Sequence, residues 1–402
     1  MGSSIKHSNF SDEDYEAFSH RLQQNLDKLS NLIHRPGFGL GTPSLGAELE
    51  LSLIDPDGNT KWINQALIDQ ANDPQLTLEL NRYNLECNLS PLQAAGAPFS
   101  KIASEITAKL VDLNKIADGF DARTVAIGIL PTLIEKDIRA GAMSDFIRYR
   151  VLTESIKSMR GSPFKINING ADPLKMTLHN LNAEGANTSF QIHLRVNPDQ
   201  FAECYNAAQM ATAPALAIST NSPLFLGHQL WEETRVPLFK QSVETRNKKE
   251  ITIHRTARTG LGSGWVQKSA VELFQRSVDD FDVLLPEYLT EQESDNPEAP
   301  ELFELKLHHG TIWHWNRAIY DNADNGHLRI EMRALPSGPS TLDMVANAAF
   351  LVGLTQALSH QMKDLITLIP FNDVKTSFYR AAELGLDAPV LWPDSKGTLQ
   401  RL

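Results

Sequence analysis

"GAELELSL", residues 46–53, alternates without exception. Ala47, Leu49, Leu51 and Leu53 fall on one face of an extended strand, and Glu48, Glu50 and Ser52 fall on the other. Two glutamates on a strand face need no explanation if that face meets water. They need one if the face looks into a shared cavity, where close carboxylates oppose each other's ionisation and a cation relieves them.

Three further stretches repeat the pattern. "NLECNLS" (84–90) alternates Leu85, Cys87 and Leu89 with Asn84, Glu86 and Asn88. "SFQIHLRV" (189–196) alternates Phe190, Ile192, Leu194 and Val196 with Ser189, Gln191, His193 and Arg195. "HLRIEMRAL" (327–335) alternates Leu328, Ile330, Met332 and Ala334 with Arg329, Glu331 and Arg333. If the four apolar faces pack on one helical layer, the polar faces meet on the other side of one sheet. That surface collects Glu48, Glu50, Glu86, His193, Glu331 and Arg333. Carboxylates with a single imidazole and no thiol suit Mg²⁺ or Mn²⁺, and arginine beside them suits phosphoryl oxygens. A solvated sheet face laced with salt bridges is the competing reading, although such faces usually favour Thr and Lys.

The composition is that of an ordinary globular chain: 402 residues, 42% hydrophobic and 21% charged, long enough for one large or two ordinary domains. No uninterrupted apolar run of about 18 residues is present, so a membrane protein is not expected. The opening "MGSSIKHSNFSDEDYEAF" lacks an apolar h-region, and Lys6 stands where a myristoylation motif wants Ser or Thr, so a cytoplasmic protein is expected. Cys87 and Cys204 alone exclude a disulfide framework or a four-cysteine zinc site. The net charge of −12 with no basic block argues against nucleic acid and anionic membranes as partners. Small molecules are the partners expected, and a homo-oligomer stays open.

Residues 11–34 read as an amphipathic helix, with Phe18, Leu22, Leu26, Leu29 and Leu32 at helical spacing after Ser11 and Asp12. Residues 1–40 are therefore expected to form an N-terminal helical brace on a single catalytic domain, 41–402. "DPDGN" (55–59) predicts a turn that folds the first strand back on "TKWIN" as a hairpin. Helices are expected near 98–118, 199–217, 268–285 and 341–366, and the acidic "LTEQESDNPEAPE" (289–301) reads as a surface loop. Helices interleave with strands throughout, which predicts an α+β fold on a large, mostly antiparallel sheet.

Several motifs occur in a telling order: "GAELEL" (46–51), "ELNRYNLECNLSP" (79–91), "GILPTL" (128–133), "RTGLGSGW" (258–265), "GTIWHWNR" (310–317) and "HLRIEMRALP" (327–336). The set resembles the glutamate–cysteine ligase type 2 family, carboxylate–amine ligases whose catalytic domain is glutamine synthetase-like. The resemblance implies a curved antiparallel funnel with helices on its outer face, holding ATP and two or three Mg²⁺ ions (or Mn²⁺). It implies metal-ligand positions at Glu48, Glu50, Glu86, His193 and Glu331, and a phosphate-contacting arginine at Arg333. Arg317, closing the aromatic-rich stretch, matches a contact to phosphate or to the donor's carboxylate. Glu79, Gln191, Arg258, Gly260 and Gly262 are the substrate- or nucleotide-binding positions it implies. The first motif lacks the extra acidic residue of the family's common form, and "GHQLWEETRVPLFKQ" (227–241) departs from its pattern in the substrate half.

The function expected is an ATP-dependent ligase joining the γ-carboxylate of glutamate to cysteine or another amine through an acyl phosphate. A metal-dependent hydrolase and a non-catalytic nucleotide-binding protein of the same fold are the rivals. The glycine-rich 259–265 lacks the endings of a P-loop or dinucleotide fingerprint and reads as a substrate loop or a tight turn. His308 and His309 carry no metal-site spacing, Trp313 and Trp315 read as core, and Cys87 faces away from Glu86.

Overall fold

The computed structural model describes residues 5–289, 296, 298–394 and 398–401. Most of the expected loop at 289–301 lies outside the described residues. The alternating stretches become neighbours in an eight-stranded sheet: β1 (Ser44–Ile54), β2 (Leu76–Leu78), β3 (Asn84–Asn88), β4 (Leu92–Gln93), β5 (Arg123–Val125), β6 (Phe190–Val196), β7 (Asn316–Asp321) and β8 (His327–Met332). The spatial order is β7-β8-β6-β1-β3-β2, antiparallel at every step, with β4 and β5 also pairing β1. This is the mostly antiparallel sheet that the alternation predicted, curled as the family resemblance implied and covered by helices.

The apolar faces pack as expected. Leu49, Leu51, Leu85, Ile192, Ile330 and Met332 are all buried in one continuous core. Helices cover that face: α2 (Pro98–Asp118), α3 (Phe201–Ser219) and α4 (Thr341–Ser359), with α3 against β7 and β8 and α4 against β6. Buried on nearly all sides, α3 is apolar around its circumference, as a helix between two layers must be. Each buried Leu or Phe contributes about 1.5–3 kcal/mol, so this sheet–helix seam fixes which face stays polar. Among the described residues, α4 is one helix long and apolar enough to cross a membrane. The sequence reading passed over it because Asp343, Asn347 and Gln356 interrupt the run, and one side of it packs on α2, α3 and β6.

The helix α1 (Asp12–Ile33) starts on a capping box between Ser11 and Asp14 and buries Phe18, Leu22, Leu26 and Leu29. It packs on helices Val271–Asp280 and Phe303–His309. The expected helix at 98–118 has those bounds. That at 268–285 is Val271–Asp280, because the Glu272 carboxylate accepts from the amides of Gln267, Lys268 and Ser269 and fixes the start. That at 341–366 is two helices, broken at His360 and Gln361.

The hairpin onto "TKWIN" forms but is one bridge long: the Asp55 amide donates to the Asn59 carbonyl and the Lys61 amide to the Leu53 carbonyl, on either side of the Ile54–Thr60 bridge. Asp55 accepts from the amides of Asp57 and Asn59 and makes the turn, but only Ile54 and Thr60 bridge. On its other edge the end of β1 pairs with β5, Leu53 opposite Thr124, and after Lys61 the chain turns into helix Asn64–Ala71. Asn64 holds that detour, donating to the carbonyls of Asn81 and Asn84.

Candidate active site

Register places the polar side chains in rows across the sheet. Arg317 on β7 lies opposite Glu331 on β8, Glu331 opposite His193 on β6, and His193 opposite Gly46 on β1. Two residues further along β1, Gln191 faces Glu48, and beyond it Glu50 faces Glu86 on β3, which faces Thr77 on β2. With a side-chain period of two, all of these project from the face opposite the core.

Two groups of ligand atoms result, each within 4.8 Å: Glu48, His193 and Glu331, and Glu50, Glu79 and Glu86. Glu79, expected to bind substrate or nucleotide, lies beside Glu50 and Glu86. In the first group His193 Nε2 lies 3.0 Å from Glu48 Oε1 and 3.8 Å from Glu331 Oε1. Neither ring nitrogen of this buried histidine has a hydrogen-bond partner. An imidazole nitrogen packed between two carboxylates makes a mixed nitrogen and oxygen group of the kind that can hold a divalent cation.

The second group shows the cost of crowding carboxylates. Glu50 is pushed up to about 8, first by burial and then by the charge of Glu86, with Arg333 opposing. Burial also raises Glu86 and Glu79, and the neighbouring glutamates add to it. One oxygen of Glu86 is held by Asn88 Nδ2 at 2.8 Å and Thr77 Oγ1 at 3.1 Å. Glu50 accepts from the Ser189 amide at 2.7 Å and from Gln191 Nε2 at 2.9 Å. Gln191 therefore orients Glu50. The donor set is hard, oxygen-rich and preoriented, and both groups fit Mg²⁺ or Mn²⁺.

The arginines differ. Arg317 spends both prongs on Glu331, whose carboxyl is held well below the usual range by Arg317 and Arg333 despite its burial. Arg333, just beyond β8, touches Glu331 with one nitrogen at 3.3 Å, and its other donors remain for an anion. Arg258 is buried elsewhere: it donates to the Asp282 carbonyl and, at 3.0 Å, to Thr311 Oγ1, and sits over the Phe281 ring. Gly260 pairs with His314 beside the strand that leads to Arg317. Gly262, at φ +102°, lines one cavity with Arg317, Arg276 and His314, a backbone angle that a side chain would strain.

Two site residues escaped the sequence reading. Glu184, raised to about 7 by burial and drawn down by Arg333, stands in the loop before β6. Arg148, buried in helix Ile147–Arg160, is lowered to about 10 by burial, and Arg317 acts in the same direction. Neither lies in an alternating stretch, so no period marked them. His308 and His309 donate to the carbonyls of Ser277 and Ala318 and are core residues. Trp315 packs on Phe239 and Phe378, and the buried Cys87 thiol is pushed up to about 12.

The glutamate–cysteine ligase family 2 model matches residues 44–394. No curated protein matches. Among solved structures, glutamate–cysteine ligase from Francisella tularensis, determined in complex with AMP, is 10% identical with a TM-score of 0.53, covering 90% of this chain and 76% of that one. A bifunctional glutathione synthetase from Pasteurella multocida is 11% identical with a TM-score of 0.43, covering 94% and 46%. Glutamine synthetase from Plasmodium falciparum is 9% identical with a TM-score of 0.33, covering 89% and 58%. The first of these shares the fold. With the ordered motifs, the polar sheet face and a match over residues 44–394, the chain belongs to glutamate–cysteine ligase family 2, and it is an ATP-dependent ligase that forms carbon–nitrogen bonds.

Proposed function

We propose that this enzyme transfers the γ-phosphoryl group of ATP to the γ-carboxylate of glutamate and then joins the acyl group to an amine, with cysteine the first candidate. The carrying observation is the pair of carboxylate groups flanking Arg333 on one sheet face. Mg²⁺ or Mn²⁺ held by Glu48, His193 and Glu331 and by Glu50, Glu79 and Glu86 would neutralise phosphate oxygens. Arg333 offers planar donors to the transferring phosphoryl group, where charge builds in the transition state. Arg317 holds Glu331, and Gln191 and Ser189 hold Glu50, so these carboxylates stay aimed without reorganising. Ser189 meets Glu50 through its backbone amide and the Cys87 thiol faces the core, which favours direct attack of the substrate carboxylate on ATP. The amine then displaces phosphate from the acyl phosphate. The test is phosphate release from Mg-ATP with glutamate and a panel of amines, with mass spectrometry of the products. Amine-dependent ADP and phosphate with a γ-glutamyl product is expected; ATP-independent hydrolysis of an amide would contradict the proposal.

A further inference from the structure

The stretch 227–241, which departs from the family's pattern, contains a wholly buried ion pair. Glu233 is 0% and Arg235 1% exposed, with Nε 2.7 Å from Oε1. Glu233 also accepts from the Asn221 amide and the Ser222 hydroxyl. The other end of the Arg235 guanidinium leaves the pair: Nη2 donates to the Ala334 carbonyl at 2.5 Å, and the group lies 5.9 Å from the centroid of the Trp315 ring. The Trp315 carbonyl accepts from the Arg333 amide at 2.9 Å. Arg333 is thus bracketed, its own amide tied to Trp315 and the next carbonyl tied to Arg235. The strip continues: Asn221 Nδ2 donates to the Ser337 carbonyl at 2.9 Å, and Ser337 Oγ donates to the Glu50 carbonyl at 2.8 Å.

We propose that the Glu233–Arg235 pair is a positioning element that fixes the backbone from Arg333 to Ser337, and through it the placement of Arg333 and Glu50. The functional half of this inference rests on the ligase reading above. Arg235 is too buried to meet substrate, and stability alone does not account for it. Desolvating two full charges cancels most of their attraction, and a well-packed apolar pair commonly serves stability as well or better. What an apolar pair cannot do is grip a specific carbonyl between two site residues.

The pair is tested with Glu233→Gln/Arg235→Met, which leaves no uncompensated charge, and with Arg235→Lys, which keeps the ion pair but loses the fork that spans Glu233 and Ala334. Melting temperature, kcat with ATP and calorimetric Mg²⁺ affinity are measured for each. Both variants are expected to fold, with kcat and Mg²⁺ affinity each lowered about tenfold, the size typical for groups that orient ligands. Mg²⁺ affinity needs no turnover: its loss in the variants with an inactive wild type would sink the ligase reading and leave the positioning element standing. Should the double variant not fold, Arg235→Lys decides. Wild-type kcat and Mg²⁺ affinity in a folded Arg235→Lys would overturn the inference.

Discussion

Arg317 closes both prongs of its guanidinium on Glu331, with Nε 2.7 Å from Oε2 and Nη2 2.9 Å from Oε1. Arg333 makes a single contact to the same carboxylate, at 3.3 Å. In the proposed mechanism the first arginine orients a cation ligand and the second contacts phosphate. Arg317→Lys is expected to weaken Mg²⁺ binding about tenfold or more, because the fork that aims Glu331 is lost. Arg333→Lys should leave Mg²⁺ affinity near wild type and cut turnover at saturating ATP to well under half. Calorimetry and steady-state rates on both variants check this, and the opposite pattern would exchange the two roles.

The raised pKa of Glu50 sets a direction for pH. Its folded value of about 8 stands above the ordinary 4.5, so the fold favours the protonated form. Without metal, its stability contribution is full below about 4.5 and is lost as pH rises through 8. A cation must displace that proton, so Mg²⁺ affinity should climb from pH 6 to pH 8. Titrations at pH 7 in buffers of different ionisation enthalpy should show net proton release. Binding heats that do not depend on the buffer would contradict it.

Glu86 faces Glu50 across the β1–β3 pair. Glu86→Gln removes one of two repelling charges, and the amide can still accept from Asn88 and Thr77. In a chelator at pH 8 the variant should melt no lower than wild type. Its stabilisation by added Mg²⁺ should shrink, and turnover should fall at least about a hundredfold. An undiminished Mg²⁺-induced rise in melting temperature would remove Glu86 from the cation group.

Cys87 shares a strand with Glu86 but lies on the core face, its thiol pushed up to about 12 by burial. Almost no thiolate exists at neutral pH, so no covalent chemistry is expected from it. Cys87→Ala should retain turnover while melting lower, the loss of a buried sulfur. A fall in kcat without a fall in melting temperature would implicate the thiol in catalysis.

The strands were legible because each carries an unbroken period of two, and register did the rest: Glu50 meets Glu86, and His193 meets Glu331, once the apolar faces share a core. The helix at 98–118 was legible from the helical period instead, with Ile102, Ile106, Leu113 and Ala117 on its buried stripe. What escaped depends on distant contacts. Glu184 enters through a short turn with no period, and Arg148 through helix Ile147–Arg160, whose "IRYR" start reads as polar surface. The hairpin at "DPDGN" is shorter than its turn signal suggests, because Asn64 ties the returning chain to the carbonyls of Asn81 and Asn84 and a helix begins there. Arg258 sits in a glycine-rich motif but is bound to Thr311 and Asp282, which no local pattern reveals.

The central claim is direct phosphoryl transfer from ATP to a substrate carboxylate, and the fate of one oxygen tests it. Glutamate labelled with ¹⁸O in its γ-carboxylate is turned over with Mg-ATP and the working amine, and the released phosphate is analysed by mass spectrometry. The account predicts one ¹⁸O in phosphate for each amide bond formed, with ADP as the other product. Unlabelled phosphate, or AMP and pyrophosphate in place of ADP, would contradict it.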